Sequence, residues 1–179
     1  AQDFHIGLDD SADDLVIGKG STLGTTTAIA IDEDGIVRKP LQPCFMALPS
    51  SEQLNISSNT TVAFGTERFD NNGDFGSNTF TAPVTGKYQF NCTITQNFID
   101  SASTLNDMYI LTSNHSYRPM LFTAGNLFSA DTDDFHSVSG SVLADMDAND
   151  TAHIQYYRTS GTDQADIIAL SYFSGFLVA

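Results

Sequence analysis

The closing stretch, Leu170-Ser-Tyr-Phe-Ser-Gly-Phe-Leu-Val-Ala179, constrains this chain most. In extended chain, successive side chains point to opposite faces. Tyr172, Phe176 and Val178 then face one way, and Phe173 and Leu177 the other. A strand apolar on both faces belongs between two packed layers. In a two-sheet sandwich one layer is the domain's own core. The other is a further segment or a sibling chain, so alternation by itself predicts oligomerisation.

Elsewhere, helical periodicity is nearly absent. Short alternating runs are separated by Asn, Asp, Gly, Ser and Thr clusters, the pattern of an all-β sandwich. Tyr88, Phe90, Cys92 and Ile94 alternate with Gln89, Asn91, Thr93 and Thr95. Val138, Val142, Ala144 and Met146 repeat that logic, and so do Ala152, Ile154 and Tyr156. Hydrophobic residues are 41% of the chain, enough for a real core. Cys44 and Cys92 lie in apolar runs and are expected to be buried free thiols.

Residues 1–40 have a different texture. Eight acidic residues fall by position 35. Leu15-Val-Ile17 and Ala28-Ile-Ala-Ile31 flank Gly18-Lys-Gly-Ser-Thr-Leu-Gly24, and an Asp34-Gly35 turn precedes Ile36-Val37. That is a hairpin pattern. So small a piece cannot bury a core alone, and it needs a partner surface or the same piece from sibling chains. Pro40 and Pro43 mark the boundary. The expected division is a β-hairpin attachment or oligomerisation segment over 1–40 and a sandwich over 41–179.

Four stretches in the larger part resemble the globular head of complement component one-q, of the tumour-necrosis-factor-like jelly-roll superfamily. They are Pro43-Cys-Phe-Met-Ala47, Thr79-Phe-Thr-Ala-Pro83, Gly86-Lys-Tyr-Gln-Phe90 and Ser171-Tyr-Phe-Ser-Gly-Phe-Leu177. The resemblance implies a two-sheet jelly roll of about ten strands that forms a trimer. It places the last strand between the first and the central ones, with Cys44 and Cys92 two strands apart. It implies that Tyr172, Phe173, Phe176, Leu177, Tyr88 and Phe90 make the trimer interface and core. The collagen stalk of the complement proteins is absent from this sequence. The N-terminal runs resemble short β-repeats of phage fibre and capsid-decoration proteins.

The chain offers little chemistry. Gly18-Lys-Gly-Ser21 lacks the earlier glycine of a phosphate loop, since Asp13 stands there. His5, His115, His136 and His153 are scattered and lack zinc spacing. No nucleophile turn occurs, and no enzyme is expected. The acidic clusters are the open question. Asp131, Asp133 and Asp134 can offer oxygen ligands to calcium, the alternative being a solvated acidic loop. No other cofactor is expected.

The formal net charge of -15 disfavours nucleic acid and anionic membranes. No apolar run has the length for membrane insertion. Ala1-Gln-Asp-Phe-His5 has neither region of a signal peptide. The leading expectation is a non-catalytic trimeric virion surface protein of a phage. It would be capsid cement or a fibre knob, joined to capsid or fibre by its N-terminal segment, with a host-surface glycan or protein as a further partner. The alternative is a secreted complement-one-q-like module that binds glycans or proteins.

Overall fold

A computed structural model describes residues 3–127 and 134–179. The chain divides into two compact units, residues 1–42 and residues 43–179.

The first unit is a four-stranded antiparallel meander of β1 (Phe4–Asp9), β2 (Asp14–Lys19), β3 (Thr27–Ile31) and β4 (Val37–Arg38), paired in that order. Three of these strands fall at the predicted apolar runs; β1 is an additional one. At the tight turns the chemistry is local. Asp13 adopts φ 56° between β1 and β2. Gly35 adopts φ 80° between β3 and β4, where Asp32 accepts from the Ile36 amide at 2.8 Å. Arg38 reaches back to the buried Asp14 carboxylate at 2.7 Å.

Register fixes the two faces of this sheet. Ile6 lies opposite Ile17, Leu8 opposite Leu15, Leu15 opposite Ile31, and Ile31 opposite Val37. These aliphatics, with Phe4 and Ile29, share one face. The other face carries His5, Gly7, Asp14, Val16, Gly18 and Ala30. It is covered by the 20–26 connection, where the Leu23 methyls lie 3.1 Å from the point a Cβ on Gly7 would occupy. His5 reaches the Gly20 carbonyl at 3.0 Å.

The second unit runs β5 (Cys44–Leu48), β6 (Thr60–Thr61), β7 (Thr66–Asp70), β8 (Phe75–Gly76), β9 (Thr79–Thr81), β10 (Gly86–Asn97), β11 (Leu105–Thr112), β12 (Ser116–Phe122), α1 (Ala124–Leu127), β13 (His136–Met146), β14 (Thr151–Thr159), β15 (Asp166–Ile167) and β16 (Tyr172–Leu177). One sheet has the order β13-β10-β16-β5-β7, the other β12-β11-β14-β9-β8. This is the expected two-sheet jelly roll. The last strand, β16, lies between the first strand β5 and the central strand β10, as the resemblance implied.

The predicted alternations become the core between the sheets. Tyr88, Phe90, Cys92 and Ile94 of β10 are buried, as are Ala152, Ile154 and Tyr156 of β14. At the centre, Phe45 stacks on Phe75 at 4.7 Å and on Phe80 at 5.0 Å, and meets Phe173 edge-on at 5.1 Å. Gly175 admits this crowding, because a Cβ there would lie 2.5 Å from the Phe90 ring and 2.8 Å from that of Phe45. The 70–74 loop brings Phe75 into this stack. Asp70 accepts from the Gly73, Asp74 and Phe75 amides and so fixes the turn.

Candidate interaction surfaces

Strand β16 separates its two faces cleanly. Phe173 is fully buried in the core, with Tyr88 and Phe90 beside it, and Leu177 packs partly against them. Tyr172, Ser174 and Phe176 face outward, away from the second sheet. On that outward face Phe176 lies opposite Gln89 of β10 and Cys44 of β5. Leu143 of β13 lies opposite Gln89, and Phe69 of β7 opposite Met46. Phe69, Leu143 and Phe176 on this face are 45%, 55% and 42% exposed.

The electrostatics of this face depart from those of the chain. Despite the net charge of -15, β5, β10 and β16 place one charged residue on it, Lys87, which is ion-paired with Asp145 of β13. The rest is apolar or neutral, with hydroxyl pairs Thr93–Ser139 and Thr95–Ser137 at 2.8 Å each. Depletion of charge with retention of aromatics is the composition of a buried interface.

The cysteines occupy opposite faces. Cys92 lies opposite Phe173 and points into the core, while Cys44 lies opposite Phe176 on the outward side. Both are free. Burial pushes the Cys92 thiol up to about 12, against a small opposing contribution from the Gly140 carbonyl. Burial, with Asp70 nearby, also raises the Cys44 thiol. Neither is an activated nucleophile.

At one end of the sandwich, the turns after β11 and β13 converge. Asn114, His115, Tyr117, Asp145 and Asp147 line a groove of about 310 Å3 there. The His115 and Tyr117 rings meet edge-on at 4.7 Å. Asp150 organises the turns, accepting from the Asp147 amide at 2.7 Å, the Ser113 hydroxyl at 2.8 Å and the Asn114 side-chain amide. Those donors, the Asp147 amide first, hold its carboxyl below the ordinary range. Acceptor oxygens beside an aromatic edge suit a ligand rich in hydroxyl or amine donors. Sequence spacing gives no hint of this groove, because its two halves lie some thirty residues apart and meet only through the pairing of β10 with β13 and of β11 with β14 and β12.

Asp131 and Asp133 lie outside the described residues, and Asp134 is exposed. Among the described residues, no group of three or more His, Cys, Asp or Glu side chains is placed to hold a metal ion. The Asp147–Asp150 turn directs its Asp150 carboxylate to internal donors rather than to an open coordination site.

The family model described as the C1q domain matches residues 44–178. Among solved structures, the globular domain of zebrafish complement 1qA protein is similar with a TM-score of 0.57 at 18% identity, over 77% of this chain and 98% of that one. Murine APRIL at pH 8.5 is similar with a TM-score of 0.53 at 8% identity, over 76% of this chain and 99% of that one. No curated protein sequence matches. At these identities the structural neighbours establish the jelly roll, and the family match covers the whole of the second unit except its terminal residues.

Proposed function

The chain belongs to the C1q-domain family, and from that premise we propose that it is a non-catalytic binding module acting as a homotrimer. Its three heads join through the outward face of β5, β16 and β10, with Tyr172 and Phe176 in the interface and Phe173, Tyr88 and Phe90 in the core behind it. The observation that carries this reading is a face that bears aromatics and, on β5, β10 and β16, the single charge of Lys87, on a strongly acidic chain. An extracellular glycan or protein is the partner, and the acceptor-rich groove lined by Tyr117 and Asp147 is where a hydroxyl-bearing ligand fits. What residues 44–178 are similar to supports this module ahead of a virion surface protein, a reading drawn from the two-faced last strand, the acidic hairpin lead and the free cysteines.

Sedimentation tests the assembly. The full chain should run with the mass of three copies, and Phe176→Asp should run as a folded monomer with an unchanged β signal. A wild-type monomer overturns the proposal. A glycan array tests recognition: binding should disappear in Tyr117→Ala while the trimer mass stays.

A further inference from the structure

In the N-terminal sheet the ordinary partition of side chains is reversed. A one-layer sheet normally turns its large apolar residues toward cover and its small or polar residues toward water. Here the covered face holds Gly7, Gly18, Ala30, Val16 and the Asp14 carboxylate. The open face holds Phe4, Ile6 and Leu8, exposed by 71%, 73% and 70%, with Leu15, Ile17 and Val37 beside them in register. No acidic residue shares that face, and its one charge, Lys19, sits at the end opposite Phe4. Six large apolar side chains in one contiguous patch exceed what a solitary soluble unit leaves open.

We infer that this face is the wall of a second core, formed by the same sheet from the two sibling chains. The inference rests on the homotrimer proposed above. Only five residues separate Arg38 of β4 from Cys44 of β5, a reach of at most about 20 Å. Joined heads therefore hold three copies of the sheet at a local concentration on the order of millimolar. Geometry favours three. Strands lie about 4.8 Å apart, so four make a face roughly 14–19 Å wide. Three such faces closed in a triangle stand roughly 4–5.5 Å from the axis. Packed sheets stand about 10 Å apart, about twice that distance, so one layer of side chains from each sheet fills the middle. A membrane is a poor occupant, because acidic turns rim the face at one end.

The test uses the full chain with a cysteine placed at the centre of the face, Ile17→Cys, and a second at Leu15→Cys. Ser21→Cys, in the connection on the covered side, is the control, and the wild type measures background from Cys44. Each is treated with a short bis-maleimide, and its native mass is measured by light scattering. The expected result is trimer mass for all, cross-linked dimers for the two face variants at a yield unchanged by dilution, and only background for Ser21→Cys. Trimer mass without cross-links at either face position overturns this inference and leaves the homotrimer standing; a foreign protein seated on the face gives that outcome. Cross-links that vanish on dilution report contact between separate trimers and also overturn it. A monomer mass removes the homotrimer itself.

Discussion

Strand β10 of the head and strand β2 of the N-terminal unit alternate with the same period, but in opposite senses. On β10 the large residues Tyr88, Phe90 and Ile94 are buried, while Lys87, Gln89, Asn91 and Thr93 between them lie on the other face. On β2 the buried positions are Asp14, Val16 and Gly18, while Leu15 and Ile17 face out. The head has a second sheet to receive its apolar side chains. The N-terminal sheet has a short connection on its small-residue face, and on its large one Phe4, Ile6 and Leu8 are exposed. The head therefore has its core within one chain, whereas in the assembly proposed above the N-terminal unit draws on its siblings.

The largest test of this contrast compares one apolar truncation in each unit. Phe173→Ala removes a ring in contact with Phe45, Phe64 and Phe90 and leaves a cavity, a loss of about 3–5 kcal/mol. Thermal unfolding of the head should fall accordingly. Ile6→Ala, in the other compact unit, should shift the head's transition by less than about 0.5 kcal/mol. Equal losses at the two positions would break the distinction.

Salt gives a smaller effect that separates the two proposed interfaces. The β1–β2 and β3–β4 turns lie at the same end of the N-terminal sheet and bring seven acidic residues there, Asp9, Asp10, Asp13, Asp14, Asp32, Glu33 and Asp34. Siblings arranged in parallel gather three such sets. Raising salt shortens the screening length to about 10 Å at 0.1 M and weakens that repulsion. Cross-linking of Ile17→Cys should therefore rise with salt. The head interface, uncharged across β5, β16 and β10 apart from the Lys87–Asp145 pair, should hold its trimer mass throughout. A salt-induced loss of N-terminal contact would contradict the parallel arrangement.

These regions also differ in how legible they are in the sequence. The head's strands are readable because the inward set is apolar over long runs, from Tyr88 to Ile94 on β10 and from Ala152 to Tyr156 on β14. The two-faced β16 told of two layers, but not which face met which. That needed the register of Phe176 against Cys44 and Gln89, and the crowding of Gly175 on Phe45 and Phe90. Strand β1 shows Phe4, Ile6 and Leu8 in plain alternation, yet it opens an acidic stretch, and exposure of its apolar set cannot be read from spacing. The loop-end groove was illegible for a different reason. His115 and Asp147 meet only through sheet pairing, and no local pattern encodes that.

The smallest effect comes from two half-buried histidines of the head. Burial pushes both His136 and His153 below the ordinary imidazole range. In the unfolded chain each takes a proton near pH 6.5. Between that pH and the lower folded value, the unfolded state holds the more protons, so stability rises with pH and is lost on acidification. The head's unfolding temperature should therefore drop as pH falls from 7.5 to 5.5, and His153→Gln should flatten part of the slope. Neither of these two histidines belongs to the N-terminal sheet. Cross-linking at Ile17→Cys should then be level across that window while the head's melt moves. A slope that His153→Gln and His136→Gln together leave intact would assign the acid sensitivity to groups other than these imidazoles. It would also remove pH as a means of loosening the head without touching the N-terminal sheet.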